Sequence, residues 1–481
     1  MADTETNEAK VSIKLIVDKV KKRVMYAEAD YTFVDILFSF MTLPLGTIVR
    51  ALGKVADKEL VALGSLTNLY QSLKDFPECY LSTEECKFLL LNPRSCFYNQ
   101  CRGLKLKIDD TEPRQYFRCE RCWSNDHSDH RFVFSTCSKA RCISCGLLMN
   151  ELHFWGTTVY VHGSVFVSHI ATFIVTDDFT VIPYTAATSI RLLRDLGITD
   201  TSHLEERKLE IGCEQVKVHI FFFHMLTHTN ALSSKDGALT LDSPLTYLVF
   251  NKNVRGFDAD LGLVTAFDHF NIMKKETSSG MSLLLEVSLQ KSTGKVLFAE
   301  AKEDFVEFLF GCLSIPLGTV IGTLMNGASS ISCMDNLFKS ISSMGVGRYL
   351  KSQDLKDNLL KPPFGQHYTS KHQLFPLTGT LINVPVRIGF KYLTFKDPRV
   401  DEIFLKQAGS FFVTDDLVIT PSSSSLTLNI LNKFKVPLDD IERYEISIGL
   451  EEGLRMLKAS LRSRETLTNS LPHHLIKRSE L

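Results

Sequence analysis

The sequence predicts an α+β fold: two tandem homologous modules, each a β-hairpin plus helices, with a small zinc-ribbon-like insert in the first. Three observations carry this. The stretch from Val24 to Val49, VMYAEADYTFVDILFSFMTLPLGTIV, recurs without a gap from Val296 to Ile321 as VLFAEAKEDFVEFLFGCLSIPLGTVI, with 12 of 26 positions identical. VTDD at 175–178 recurs at 413–416, each followed five residues on by a proline, Pro183 and Pro421. The offset between copies is 272 residues for the first block and 238 for the second, so about 34 extra residues lie between the blocks in the first copy, and two CxxC pairs sit there.

A chain of 481 residues is too long for one ordinary core, and the repeat divides it in two. Hydrophobic residues make up 44% and charged residues 23%, which excludes a disordered chain. A formal net charge of −1 provides no global field toward nucleic acid or membrane. The opening MADTETNEAK is acidic and polar, unlike a secretory or transit leader, so an intracellular place, cytoplasmic and/or nuclear, is expected. Nine of the 12 cysteines precede residue 146, and in an intracellular chain such clustering points to metal before disulfides.

Residues 1–10 read as a flexible tail and module one as 11–250, with the Cys-rich insert at about 96–148. A linker follows at 251–280, then module two at 281–471 and a tail at 472–481. Val11, Ile13, Leu15 and Val17 alternate as in a strand, Asp18 to Arg23 turns, and Val24 to Ala29 returns. Met281 to Leu289, Ser292-Thr293-Gly294 and Lys295 to Ala301 repeat the hairpin. Phe33, Ile36, Leu37 and Phe40 have helical spacing, as do Phe305, Phe308, Leu309 and Cys312, and Pro44 and Pro316 end or kink those helices. Leu66, Leu69 and Leu73 mark another helix, matched by Met334, Leu337 and Ile341. After each VTDD comes an amphipathic helix, then Ile-Gly (Ile211-Gly212; Ile448-Gly449), and in the second copy a strong helix from Leu450 to Leu461. The first copy departs there. Residues 214–243 lack helical periodicity, either through real divergence or as translated non-coding sequence.

AEA, FV..LF, PLGT, VTDD with its proline, Ile-Gly and the LKASL helix resemble a plant family catalogued as domain of unknown function 674, over about residues 11–470. LLLNPRS, CRGLKLKIDDTEP and FFVTDDLVITP look like that family's wording. The resemblance implies a plant source and brings no activity, substrate or catalytic residue. The segment after Gly212 departs from the family pattern.

Cys119, Cys122, Cys142 and Cys145 form CxxC-x19-CxxC. Zinc takes four such ligands in a tetrahedron at about 2.3 Å from each sulfur, and two residues between cysteines let both thiolates reach one ion. Gly146 allows a turn with positive φ, which aims backbone N–H groups at sulfur. Cys137, His127 and His130 are alternative ligands, and ordinary reduced thiols are the plain alternative. Four thiolates would close the site to water, so the zinc expected is structural. Phe132 to Phe134 would supply a ribbon strand.

Glu28, Glu300, Asp177-Asp178 and Asp415-Asp416 could serve acid–base chemistry, but Asp-Asp between apolar strands is turn chemistry, and recurrence in both copies points to a fold requirement. Gly46 to Lys54 has the wrong spacing for a P-loop. His219, His224 and His228 fall in the anomalous segment and carry no reading. Arg121, Arg131, Lys139 and Arg141 against Glu120, Asp126 and Asp129 leave the insert a net of +1, poor for phosphate contacts, although Trp123, Phe132 and Phe134 could stack on bases. Phe308 to Met325 is uncharged for 18 residues, but its counterpart stops at Arg50, so buried core is expected and no membrane span. The resulting expectation is a non-enzymatic interaction or scaffold protein with one structural zinc and an unknown protein partner. The alternatives are a nucleic-acid-associated protein acting through the insert, or an enzyme with a site between the modules.

Overall fold

The computed structural model describes residues 9–54, 63–112, 115–124, 132–153, 163–216, 244–250, 281–329, 331–380, 387–388, 391–406 and 409–471. Residues 1–8 of the N-terminal tail, the C-terminal tail, the linker, and nearly all of the anomalous segment lie outside the described residues, as do His127 and His130. Strand Val11–Asp18 buries Val11, Ile13, Leu15 and Val17 on one face, as alternation requires. Asp18 ends it by accepting from the N–H groups of Val20 and Lys21, both at 2.9 Å, and Arg23–Ala29 returns. In the matching hairpin, Leu283–Gln290 turns through Gly294 at φ 69° into Val296–Lys302.

Each hairpin is the middle of a five-stranded antiparallel sheet. The first runs Val181–Pro183, Phe173–Thr176, Arg23–Ala29, Val11–Asp18, Leu204–Ile211. The second has the same order: Ile419–Pro421, Ser410–Thr414, Val296–Lys302, Leu283–Gln290, Ile441–Ile448. Registers agree as well, with Glu28 opposite Ile174 and Glu300 opposite Phe412. The outer strands Leu204–Ile211 and Ile441–Ile448 were not expected from the sequence. Their charged residues face solvent, and only a few apolar positions carry the alternation.

One face of each sheet is covered by helices. Tyr31–Ser39 is capped by Asp30, which accepts from Thr32 N–H at 2.9 Å. Asp35 is buried on this helix. Its carboxylate accepts from three consecutive N–H groups, those of Val165, Phe166 (2.8 Å) and Val167 (2.9 Å), which fixes a chain segment that has no ladder of its own. Glu307, on helix Glu303–Cys312, does the same work for the N–H of Leu405 at 3.1 Å and the hydroxyl of Ser370.

The two Pro-Leu-Gly-Thr steps meet. Pro44 and Pro316 form an antiparallel bridge, in which Leu45 N–H donates to Ile315 C=O at 3.0 Å and Leu317 N–H to Leu43 C=O at 2.9 Å. Each residue of the motif has a task there. Pro44 precedes helix Leu45–Gly53 in extended conformation, where its missing N–H leaves no bond unmade. Leu45 and Leu317 are fully buried. Gly318 brings its backbone against Met41 C=O and Leu359 C=O. Thr47 donates its hydroxyl to Pro93 C=O at 2.7 Å, and Thr319 to Pro362 C=O at 2.9 Å. The uncharged run from Phe308 is thus broken between helix Glu303–Cys312 and the π-type turn Thr319–Leu324. Among the described residues no helix is long and apolar enough to cross a membrane.

Helix Leu66–Asp75 does not close over the sheet that precedes it. It lies on the second sheet, where Asn68 Nδ2 donates to the C=O and carboxylate of Asp416, both at 3.1 Å, and Ser72 Oγ accepts from Ile419 N–H at 3.0 Å. Helix Ser332–Ser343 lies on the first sheet. Asn336 Nδ2 donates to the C=O and carboxylate of Asp178 at 3.1 Å, and Ser340 Oγ accepts from Val181 N–H at 2.9 Å. The chain after each helix crosses too: Ser82 N–H bonds Phe404 C=O at 2.8 Å, and Ser168 N–H bonds Tyr349 C=O at 2.7 Å. One large apolar core runs continuously through both sheets and these helices.

Candidate metal centre

The first CxxC begins where strand Tyr116–Arg118 ends. Cys119 follows the strand, and Cys122 sits in the short helix Glu120–Ser124. The second occupies a tight knuckle. Gly146 N–H donates to Cys142 C=O at 2.9 Å, Cys142 N–H to Leu147 C=O at 2.8 Å, and Met149 N–H to Ala140 C=O at 2.7 Å. Gly146 adopts φ 73°, the conformation its position after the pair predicted.

These two turns bring four thiols together. Their Sγ atoms all lie within 4.8 Å of one another, with Cys119–Cys145 at 3.4 Å and Cys122–Cys142 at 3.7 Å. A tetrahedron with metal–sulfur arms of about 2.3 Å has edges of about 3.8 Å, so the constellation has the dimensions of a four-cysteine metal centre. Cys119 and Cys142 are buried; Cys122 and Cys145 are half-buried. Burial pushes the thiols of Cys119 and Cys122 up. The Leu147 N–H, helped by the neighbouring thiols, holds Cys145 down to about 7. The Cys122 N–H likewise favours the Cys119 thiolate. Backbone amides aimed at sulfur are the outer-shell groups such a centre uses.

The surrounding apolar cluster is small: Val133, Ala140 and Met149 with the two buried cysteines, and Phe117 against them. Strand Phe132–Ser135 forms as expected. It belongs to a sheet with Tyr116–Arg118 and Glu151–His153, clamped by the two-pronged Arg118–Glu151 pair at 2.8 and 2.7 Å. The sheet has a second source. Lys391–Phe395 pairs in parallel with Phe132–Ser135, and Arg387–Ile388 follows at the edge. Nothing in the sequence signals that pairing. The Arg118–Glu151 clamp was also not anticipated.

Cys137 stands apart from the four thiols, its own pushed up by burial. Cys101 is pushed up to about 12 by burial, and Cys96 donates to Pro363 C=O at 2.9 Å. The repeated carboxylates are engaged. Asp177 accepts from the N–H groups of Leu245 (2.8 Å) and Thr246 (2.9 Å) and caps helix Pro244–Phe250. Asp415 accepts from Thr468 N–H at 2.8 Å at the equivalent helix, Thr466–Ser470. Glu28 pairs with Lys14 at 3.4 Å and Glu300 with Arg443 at 2.8 Å, on the sheet faces that helices Ala186–Asp195 and Ser424–Phe434 partly cover. A family model with the description "Protein of unknown function (DUF674)" matches residues 7–451 and 389–477. No curated protein and no solved structure matches.

Proposed function

The chain belongs to the family described as protein of unknown function (DUF674), a description that assigns no chemistry, and from the cysteine geometry we propose a non-enzymatic interaction or scaffold protein stabilised by one structural zinc. Cys119, Cys122, Cys142 and Cys145 are its ligands. The observation that carries this is the approach of all four sulfurs to within 4.8 Å of one another. Four soft donors favour zinc over hard cations, and a complete set of four leaves no open position for water, so the centre holds structure and performs no hydrolysis. The small cysteine-lined core is otherwise too slight to order its sheet alone, which is where a bound ion contributes folding free energy. The matching order and register of the two large sheets support the reading of two tandem copies with a zinc-ribbon-like insert in the first.

Elemental analysis of the purified full-length chain tests the metal centre. One zinc per chain is expected, falling well below one in Cys142→Ser and unchanged in Cys137→Ser. Well under one zinc in the wild-type chain, with its thiols reduced, overturns the assignment.

A further inference from the structure

We infer that the two halves of the chain are each other's obligatory partner, joined as an intramolecular dimer by exchanged segments. The interaction surface of each half is the VTDD turn with its flanking strands, and what it fits is a helix of the other half, Ser332–Ser343 on the first sheet and Leu66–Asp75 on the second. The evidence is reciprocity at the level of single atoms. Asn336 holds the C=O and carboxylate of Asp178 just as Asn68 holds those of Asp416. Ser340 takes the N–H of Val181 as Ser72 takes that of Ile419. The Pro44–Pro316 bridge, with its two crossed hydrogen bonds, sits where a two-fold axis relating the halves would pass.

A helix docked by accident on a neighbouring domain would make such bonds on one side only. Here the same residue types make the same bonds in both directions, and the asparagine of each helix donates to the turn of the sheet in the other half. Removing one half would leave the N–H of Val181 or Ile419, both on buried residues, without its acceptor. It would also uncover the apolar face of a helix and a sheet edge. Neither half is then a closed core, and the surface between them resembles an obligate interface, which is core-like and apolar. The inference stands apart from the zinc assignment, because these contacts lie outside the cysteine sheet.

The test uses the full-length chain with a protease site inserted in 251–280. After cleavage, the two fragments are expected to co-elute at the size of the intact chain and to melt in one transition, with and without a chelator. Asn336→Ala, a change in the second fragment, is expected to lower that shared transition by several degrees. It should also speed amide exchange at least tenfold in the first sheet, at Phe173–Thr176 and Val181. Release or aggregation of either fragment in native buffer overturns the inference, as do two independent transitions or exchange confined to residues 332–343. Separation only in chelator overturns it too, since the cysteine sheet would then be the link. Co-elution of a zinc-free protein overturns the metal assignment and leaves this one standing.

Discussion

Gly318 has no room for a methyl group. A Cβ there would lie 2.7 Å from Leu359 C=O, 2.8 Å from Met41 C=O and 2.8 Å from Pro362 Cδ, two of them backbone atoms that cannot step aside. Gly46, its counterpart, is less tight, at 3.0 Å from Leu313 C=O. Gly318→Ala is therefore expected to cost about 2–3 kcal/mol, and Gly46→Ala less, read as shifts in the urea midpoint. Asp415 provides a second test. Burial holds its carboxyl up to about 6 against the stabilising Thr468 donors. The folded state then keeps a proton that the unfolded state releases near the ordinary value of 3.8. Stability falls as pH rises from about 4 to about 6, a loss on the order of 2–3 kcal/mol, and the Asp415 contribution is flat above that. Asp415→Asn should flatten the slope of urea stability against pH in that window; an unchanged slope would remove Asp415 as its source. At this scale the sequence was most legible for the cysteines. CxxC turns and the glycine after them are local, so spacing brings the two sulfurs of each pair together, while the strand pairing of the small sheet brings the pairs to each other. The tasks of the glycine and threonine of Pro-Leu-Gly-Thr were not legible, since they are set by residues distant in sequence such as Leu359, Pro93 and Pro362.

Helices and strands were read unevenly, for physical reasons. The hairpins follow from strict alternation, and Leu450–Arg462 from a continuous apolar stripe. Strand Lys391–Phe395 pairs with Phe132–Ser135 across more than 250 residues, and no local pattern encodes a parallel partner so distant. Helix Leu66–Asp75 was recognised as a helix but not for what it touches. Just past its end Phe76 reaches the rings of Phe310 at 5.2 Å and Phe411 at 5.4 Å, both in the second half. Phe76→Ala should cost about 3–5 kcal/mol, a typical loss for an emptied aromatic site. Amide exchange will check where the loss is felt: protection should fall in Ser410–Thr414, more than 300 residues away in sequence.

Across the whole molecule, repetition is what the sequence shows best, and exchange is what it hides. A repeated helix has the same apolar stripe whether it folds back on its own sheet or crosses to the other, so two copies of one pattern are compatible with either arrangement. The pairing of Asn68 with Asp416 and of Asn336 with Asp178, together with the Ser72–Ile419 and Ser340–Val181 bonds, distinguishes them. Time is where the arrangement has its sharpest effect. Asn336 leaves the ribosome 158 residues after the Asp178 it latches. At ~5–20 residues per second, the first sheet waits for roughly 8–30 s with its docking face open. Throughout that interval the nascent chain presents apolar surface that the finished protein never shows, so its yield in a cell will depend on how well that half-made face is shielded.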